Sequence, residues 1–203
     1  MKSLSENNTP SETNRSSQTI WSGLRLTLVC MVFFCGIYTV LVWGIAQLVP
    51  GQGQGLVLND NGRKYYVNIG QKFSSDKYFW SRPSAVDFNA AGSGGSNKGP
   101  TNPEYLIQVK ARMDWFIKQN PGVSGADIPS DLLTASGSGL DPDISLQGAK
   151  VQVKRISRCR KLPIAVLDSL IASNTEDPLW GVMGTTCVNV LKLNIELDRL
   201  STH

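Results

Sequence analysis

The stretch Leu26–Val49, LTLVCMVFFCGIYTVLVWGIAQLV, holds no charged residue and constrains this 203-residue chain more than any other feature. Coiled at about 1.5 Å per residue it reaches about 36 Å, enough to cross a hydrocarbon core of about 30 Å with modest tilt. Gly44-Ile45-Ala46 offers a small-x-small pattern of the kind signal peptidases cleave. Signal-peptide apolar regions run to roughly 7–15 residues, however, so the longer run here is expected to be a retained anchor. Basic residues set its orientation: Lys2, Arg15 and Arg25 precede the run and none follows before Arg63. The amino-terminal tail is therefore expected in the cytoplasm and the remainder outside it. Trp21 and Trp43 stand near the two ends, where amphipathic rings meet headgroups.

Residues 1–22, rich in Ser, Asn and Thr, read as a disordered cytoplasmic tail, residues 23–49 as the transmembrane helix, and residues 50–203 as an extracytoplasmic α/β domain of the α+β kind. About 150 residues is a usual size for one domain with its own core. Three of the 20 Lys and Arg and two of the 16 acidic residues precede the helix, so the domain is only slightly basic and demands no polyanionic partner. An exported domain also sets nucleic acid aside. Cys30 and Cys35 fall in the apolar run and read as small apolar residues. Cys159 and Cys187 lie where a disulfide is permitted, but two cysteines make a weak framework.

Small residues recur along the helix at Cys35 and Thr39 and at Gly36 and Gly44. They read either as a packing face for another helix or as glycines of the sort common in membrane helices. Gly51–Gly55 is a flexible hinge, and Asn59-Asp60-Asn61-Gly62 between two β-prone runs predicts a hairpin. DKYFWSRP, residues 76–83, sets aromatics beside Arg82. A Gly/Ser-rich loop over Ser84–Pro103 ends in Asn102-Pro103-Glu104, a helix start whose apolar face is Leu106, Val109, Met113, Phe116 and Ile117. That helix is expected to pack on the sheet until Asn120-Pro121-Gly122 stops it. TASGSGLDP, residues 134–142, is a second small-residue loop before a helix near Ser145. Lys150, Lys154, Arg155, Arg158, Arg160 and Lys161 read as a solvated helix face or as a surface for acidic lipid or an acidic partner. Pro163 opens a short helix with Ile164, Leu167, Leu170 and Ile171 inward. Val188, Val190 and Leu191 read as a strand that Leu193, Ile195 and Leu197 either continue or bend into a terminal turn.

Gly94-x4-Gly99 is followed by Pro100 rather than Lys-Ser/Thr, and neither GxGxxG nor GxSxG occurs. His203 is the only histidine, which leaves no Ser-His-Asp triad. A Ser-Lys dyad would need Ser74 with Lys77, or Ser96 with Lys98, in a site buried enough to depress a lysine pKa, and both lysines have polar neighbours in sequence. Glycines in the loops at Ser93–Pro103 and Thr134–Pro142 are instead expected to shape backbone, so that alanine at Gly95 and Gly137 weakens folding or assembly and Ser96→Ala is mild.

GIAQLVP at 44–50, IGQKF at 69–73, YFWSRPSA at 78–85, SGGSNKGPTNP at 93–103, DLLTASGSGLDPDIS at 131–145 and VNVLKLN at 188–194 occur in the order seen in a known family. In these blocks the chain resembles the C subunit of the Kdp potassium-transporting P-type ATPase, from the membrane helix nearly to the carboxyl end. The departures are local: Lys98 stands where that family is usually apolar, Lys161 where it commonly has glycine, Asp177–Trp180 in an altered run, and Cys187 where arginine or an aromatic is common.

The resemblance implies a non-catalytic accessory subunit of an ATP-driven potassium importer of the bacterial inner membrane. Its partners would be a channel-like potassium-binding subunit, a P-type ATP-hydrolysing subunit and membrane lipid. No cofactor is expected in this chain, since ATP, magnesium and potassium would sit on the partners, and neither catalytic nor metal-binding residues are carried over. Candidate docking or structural positions are Arg82, Ser93, Gly94, Gly95, Ser96 and Asn97 in the first loop region and Gly137, Ser138, Gly139 and Asp141 in the second, with Gly36 and Gly44 for helix packing. A membrane-anchored Ser-Lys hydrolase and a free-standing envelope binding domain are the alternatives.

Overall fold

A computed structural model describes residues 12–49, 51–60, 62–178 and 180–200, in two units that divide between Gly55 and Leu56. The first unit is one continuous helical rod: α1, Glu12–Met31, a π-helical turn over Val32–Tyr38, and α2, Thr39–Leu48. Residues 12–22 are thus helical where the sequence predicts a disordered tail, because an apolar helix propagates backward through residues that tolerate it; residues 1–11 lie outside the described ones. Within the rod, Thr19–Leu48 is long and apolar enough to cross a membrane, and Arg25 lies 6.0 Å over the Trp21 ring. In the π turn the Thr39 hydroxyl donates to the Phe34 carbonyl five residues back. Such a turn winds less per residue, so the faces carrying Cys35, Gly36 and Gly44 are offset from those an ideal α-helix would give.

The second unit opens with the predicted hairpin: β1, Val57–Asp60, pairs antiparallel with β2, Arg63–Tyr66, around a turn with Gly62 at φ +75°. A second antiparallel sheet has strand order β3 (Asp143–Ser145), β5 (Cys187–Asn189), β4 (Thr175–Glu176). Helices α3 (Pro103–Gln119), α4 (Leu146–Lys150), α5 (Val153–Arg160), α6 (Ile164–Ser173) and α7 (Val190–Leu200) complete an α+β domain. Phe79, Ile144, Ile156, Leu167, Val188 and Leu193 form the centre of its core.

The start of α3 follows its sequence, with the Asn102 side chain accepting from the Tyr105 N–H at 3.0 Å. Its packing follows in part: Val109, Met113, Phe116 and Ile117 pack on the core as that face predicts, while Leu106 is exposed, and the helix meets the domain beside Trp80 and the Leu133 carbonyl rather than by lying on the sheet. Ile164, expected inside, is also half exposed. The carboxyl end departs furthest. After only Cys187–Asn189 the chain turns into α7, because Val190, Leu193, Asn194 and Leu197 are buried at helical spacing while Ile195 is only half-buried. Asn189 starts that helix by accepting from the Lys192 N–H.

Arg155 and Arg160 leave the basic surface predicted for them. Arg155 is buried: Nε donates to Asn120 Oδ1 at 3.0 Å, Nη2 to Gln152 Oε1 at 2.7 Å, and Nη1 to the carbonyls of Asp76 and Tyr78. Its guanidinium lies 3.6 Å over the Trp80 ring, and burial pulls its pKa down to about 10, which still leaves it charged at neutral pH. Arg160 donates to the Lys77 carbonyl and to Asp198.

Candidate functional site: a junction of two glycine-serine loops

After a turn over residues 75–78 the segment 79–83 enters the core without joining a sheet, so its backbone groups must be satisfied by other means. Gln152 accepts from the Trp80 N–H at 2.8 Å and donates to its carbonyl, while Ser81 Oγ donates to the Gln71 carbonyl. Held in this way, the segment delivers Arg82 to Asp141, whose Oδ2 lies 2.6 Å from Nη1. Asp141 Oδ1 in turn accepts from the Asp143 N–H, which fixes the carboxylate across the turn into β3.

Around this ion pair the two small-residue loops meet directly. The Gly94 N–H donates to the Ser138 carbonyl at 2.8 Å, and Ser93 Oγ donates to the same oxygen at 3.0 Å. A Cβ on Gly95 would stand 2.9 Å from the Gly137 carbonyl oxygen. One on Gly139, already at φ +69°, would stand 2.7 Å from both Gly94 O and Val86 Cγ2. A third strand of the junction comes from IGQKF: the Gly70 N–H donates to the Leu140 carbonyl, and a Cβ on Gly70 would fall 2.5 Å from the Asp141 carbonyl oxygen.

Arg82, Ser93, Gly94, Gly95, Gly137, Ser138, Gly139 and Asp141 are therefore brought together. Ser96 and Asn97 sit beside them without a side-chain hydrogen bond, and Asn97 takes φ +52°, a conformation asparagine tolerates. Gly137 has open space where a side chain would go, contrary to the expectation that alanine there is harmful. Gly36 and Gly44 belong to the other unit, where each also faces open space. Gly70, Gln152 and Asn194 give no signal of their roles in the sequence: Gly70 looks like any loop glycine, and neither amide, one in the turn between α4 and α5 and one in α7, shows a local reason to be buried.

The groups of this site are turned inward on one another. Asp131 accepts from Ser145 N–H at 2.7 Å, and Asp143, whose pKa burial pushes up, accepts from Asn189 Nδ2 at 3.0 Å. Lys98 pairs with Glu104 and Lys77 lies over the Tyr78 ring, and no hydrogen bond joins either lysine to its candidate serine. Cys159 and Cys187 are free thiols, and burial raises the pKa of Cys187, which disfavours the reactive thiolate. Among the described residues no group of three or more His, Cys, Asp or Glu is placed to hold a metal.

Residues 20–199 match the family model "K+-transporting ATPase, c chain". The chain belongs to this KdpC family. A Flavobacterium johnsoniae protein named potassium-transporting ATPase KdpC subunit is 50% identical over 182 residues, covering 89% of this chain and 98% of the relative. Relatives of the same name from Bacteroides fragilis (44% over 190 residues, 92% of this chain, 100% of the relative) and Geobacter sulfurreducens (47% over 182, 86% and 95%) show the similarity to extend over nearly whole chains. Membership of the KdpC family makes this chain a subunit of a potassium-transporting ATPase, and the one long apolar span among the described residues fits a single-pass membrane protein.

Proposed function

We propose that this chain is the non-catalytic accessory subunit of the potassium importer, and that it assembles and stabilises a complex of a channel-like subunit with a P-type ATP-hydrolysing one. The observation that carries the reading is the loop junction within a chain of this family: most of its charged and hydroxyl groups bind one another or the backbone, as Arg82 does Asp141 and Ser93 does the Ser138 carbonyl. ATP, magnesium and potassium are assigned to the partner chains. The asymmetry of Lys2, Arg15 and Arg25 against an uncharged stretch up to Arg63 supports an inner-membrane helix with a cytoplasmic amino terminus and an extracytoplasmic domain.

Two attachments, helix and domain, would reinforce one another because docking one raises the effective concentration of the other. Deleting the gene should abolish growth at low potassium and spare growth at high potassium, while the purified chain should neither bind nor hydrolyse ATP. Normal potassium scavenging by the deletion strain, or ATP hydrolysis by the chain alone, would refute the reading. Protease added to spheroplasts should digest the domain and leave the amino terminus protected.

A further inference from the structure

Beside Arg82 lies a cavity of about 260 Å³ walled by Trp80, Phe88, Trp115 and Phe116, with Lys72 and Arg112 also lining it. Trp80 stacks on Trp115 with ring centroids 4.6 Å apart, and Trp115 remains half exposed at the opening. No Asp or Glu lines the cavity. Lys72 is answered outside it by Asp87, and Arg82 Nη1 by Asp141. Arg82 Nε has no acceptor but is closed off from solvent, so the open donors are those of Arg112, whose guanidinium, among the described residues, donates to the Leu133 carbonyl alone. Aromatic walls together with unanswered guanidinium N–H groups call for a ligand that is apolar at one end and anionic at the other.

We propose that this cavity is a socket for one aromatic or branched aliphatic side chain, flanked in sequence by Asp or Glu, on a partner subunit of the potassium-transport complex. The inference rests on the subunit reading above. Its volume suits a single large side chain, the carboxylate meets the guanidinium of Arg112, and closure over Trp115 removes that ring from water. A bare acyl chain would leave the arginine donors unanswered, and a lone phosphate would leave the aromatic walls wet.

The test is a benzophenone photo-crosslinker in place of Phe88 in the full chain in cells, followed by purification of the complex in mild detergent and mass spectrometry of the linked peptide. The expected product joins Phe88's position to a partner-subunit segment carrying Asp or Glu within two residues of an aromatic or branched aliphatic residue. A complex that assembles but yields a lipid adduct, a segment without a carboxylate, or no adduct overturns the socket and leaves the subunit reading standing. Failure of the unaltered chain to copurify with any partner would instead count against that reading. Independently, Arg112→Gln should speed loss of the chain from the complex at least tenfold, with its unfolding midpoint as the control for fold. Unchanged retention in Arg112→Gln would also overturn the proposal.

Discussion

Asn194 holds both backbone groups of Phe79: its Oδ1 accepts from the Phe79 N–H and its Nδ2 donates to the Phe79 carbonyl, each at 2.9 Å. Gln152 does the same for Trp80, one residue on. Two side-chain amides, one in α7 and one in the turn between α4 and α5, thus replace the neighbouring strand that would ordinarily satisfy such a segment. They let Phe79 and Trp80 bury their rings while the chain continues outward to Arg82. Asn194 and Gln152 thereby position the segment that leads into the loop junction.

Asn194→Leu keeps volume but strands an N–H and a C=O in the core. An unsatisfied buried group costs about 1–3 kcal/mol, so the variant should lose about 2–4 kcal/mol in denaturant unfolding of the full chain in detergent. A loss under 1 kcal/mol would mean that water or a neighbour reaches Phe79.

The glycines of the junction separate by the space around them. Gly139→Ala and Gly95→Ala each push a methyl against backbone, and Gly139 carries strain from its positive φ as well, so Gly139→Ala should be the worse of the two and cost well over about 1 kcal/mol. Gly137→Ala should be nearly silent, as should Ser96→Ala. Thermal unfolding of the four variants side by side checks the order.

Sequence alone reveals features whose cause is local. The hairpin turn at Gly62, the Asn102 cap, the Ser145 start of α4 and the apolar span each depend on residues within a few positions of one another. What stayed hidden depends on distant partners. Alternating Leu193, Ile195 and Leu197 resemble a strand until Asn194 is needed inward to hold Phe79, 115 residues away in sequence. Arg155 resembles its basic neighbours until the carbonyls of segment 76–78 require a buried fork of donors. The loops could be recognised as special from composition, but that Gly95 and Gly139 are crowded and Gly137 is free follows only from their meeting.

Burial raises the pKa of Asp143 above 3.8, so the folded state holds this proton more tightly than the unfolded chain. The sign follows from linkage: in the window just above 3.8 the folded state binds more protons, so Asp143 makes stability fall as pH rises through it. Asp143→Asn keeps an oxygen for Asn189 Nδ2 and removes the charge. Stability of the variant relative to the parent should therefore increase from below pH 4 toward neutrality, read from unfolding midpoints across that range. A parallel pH profile in the two proteins would show that Asp143 does not contribute this slope.

Lys161 ends α5 at φ 56° and ψ 35°, in the left-handed region, with its N–H donating to the Ser157 carbonyl. This is the conformation in which glycine most often closes a helix, since a Cβ crowds the following carbonyl. Leu162 completes the cap: its N–H reaches the same Ser157 carbonyl at 3.2 Å, and its own carbonyl accepts from Ser157 Oγ at 2.6 Å. The backbone is therefore held in place whatever residue stands at 161. Lys161→Gly relieves about 1–2 kcal/mol of left-handed strain and gives back part of it as entropy of the unfolded chain. It also forgoes a cation near a helix carboxyl end, worth a few tenths of a kcal/mol where Arg158 and Arg160 remain. The net should be a gain of about 0.5–1 kcal/mol, read as a higher unfolding midpoint of the full chain. Lys161→Ala keeps the Cβ and hence the strain, so it should gain nothing; equal stabilisation by alanine and glycine would show that the charge of Lys161, not its backbone, is what the fold resists.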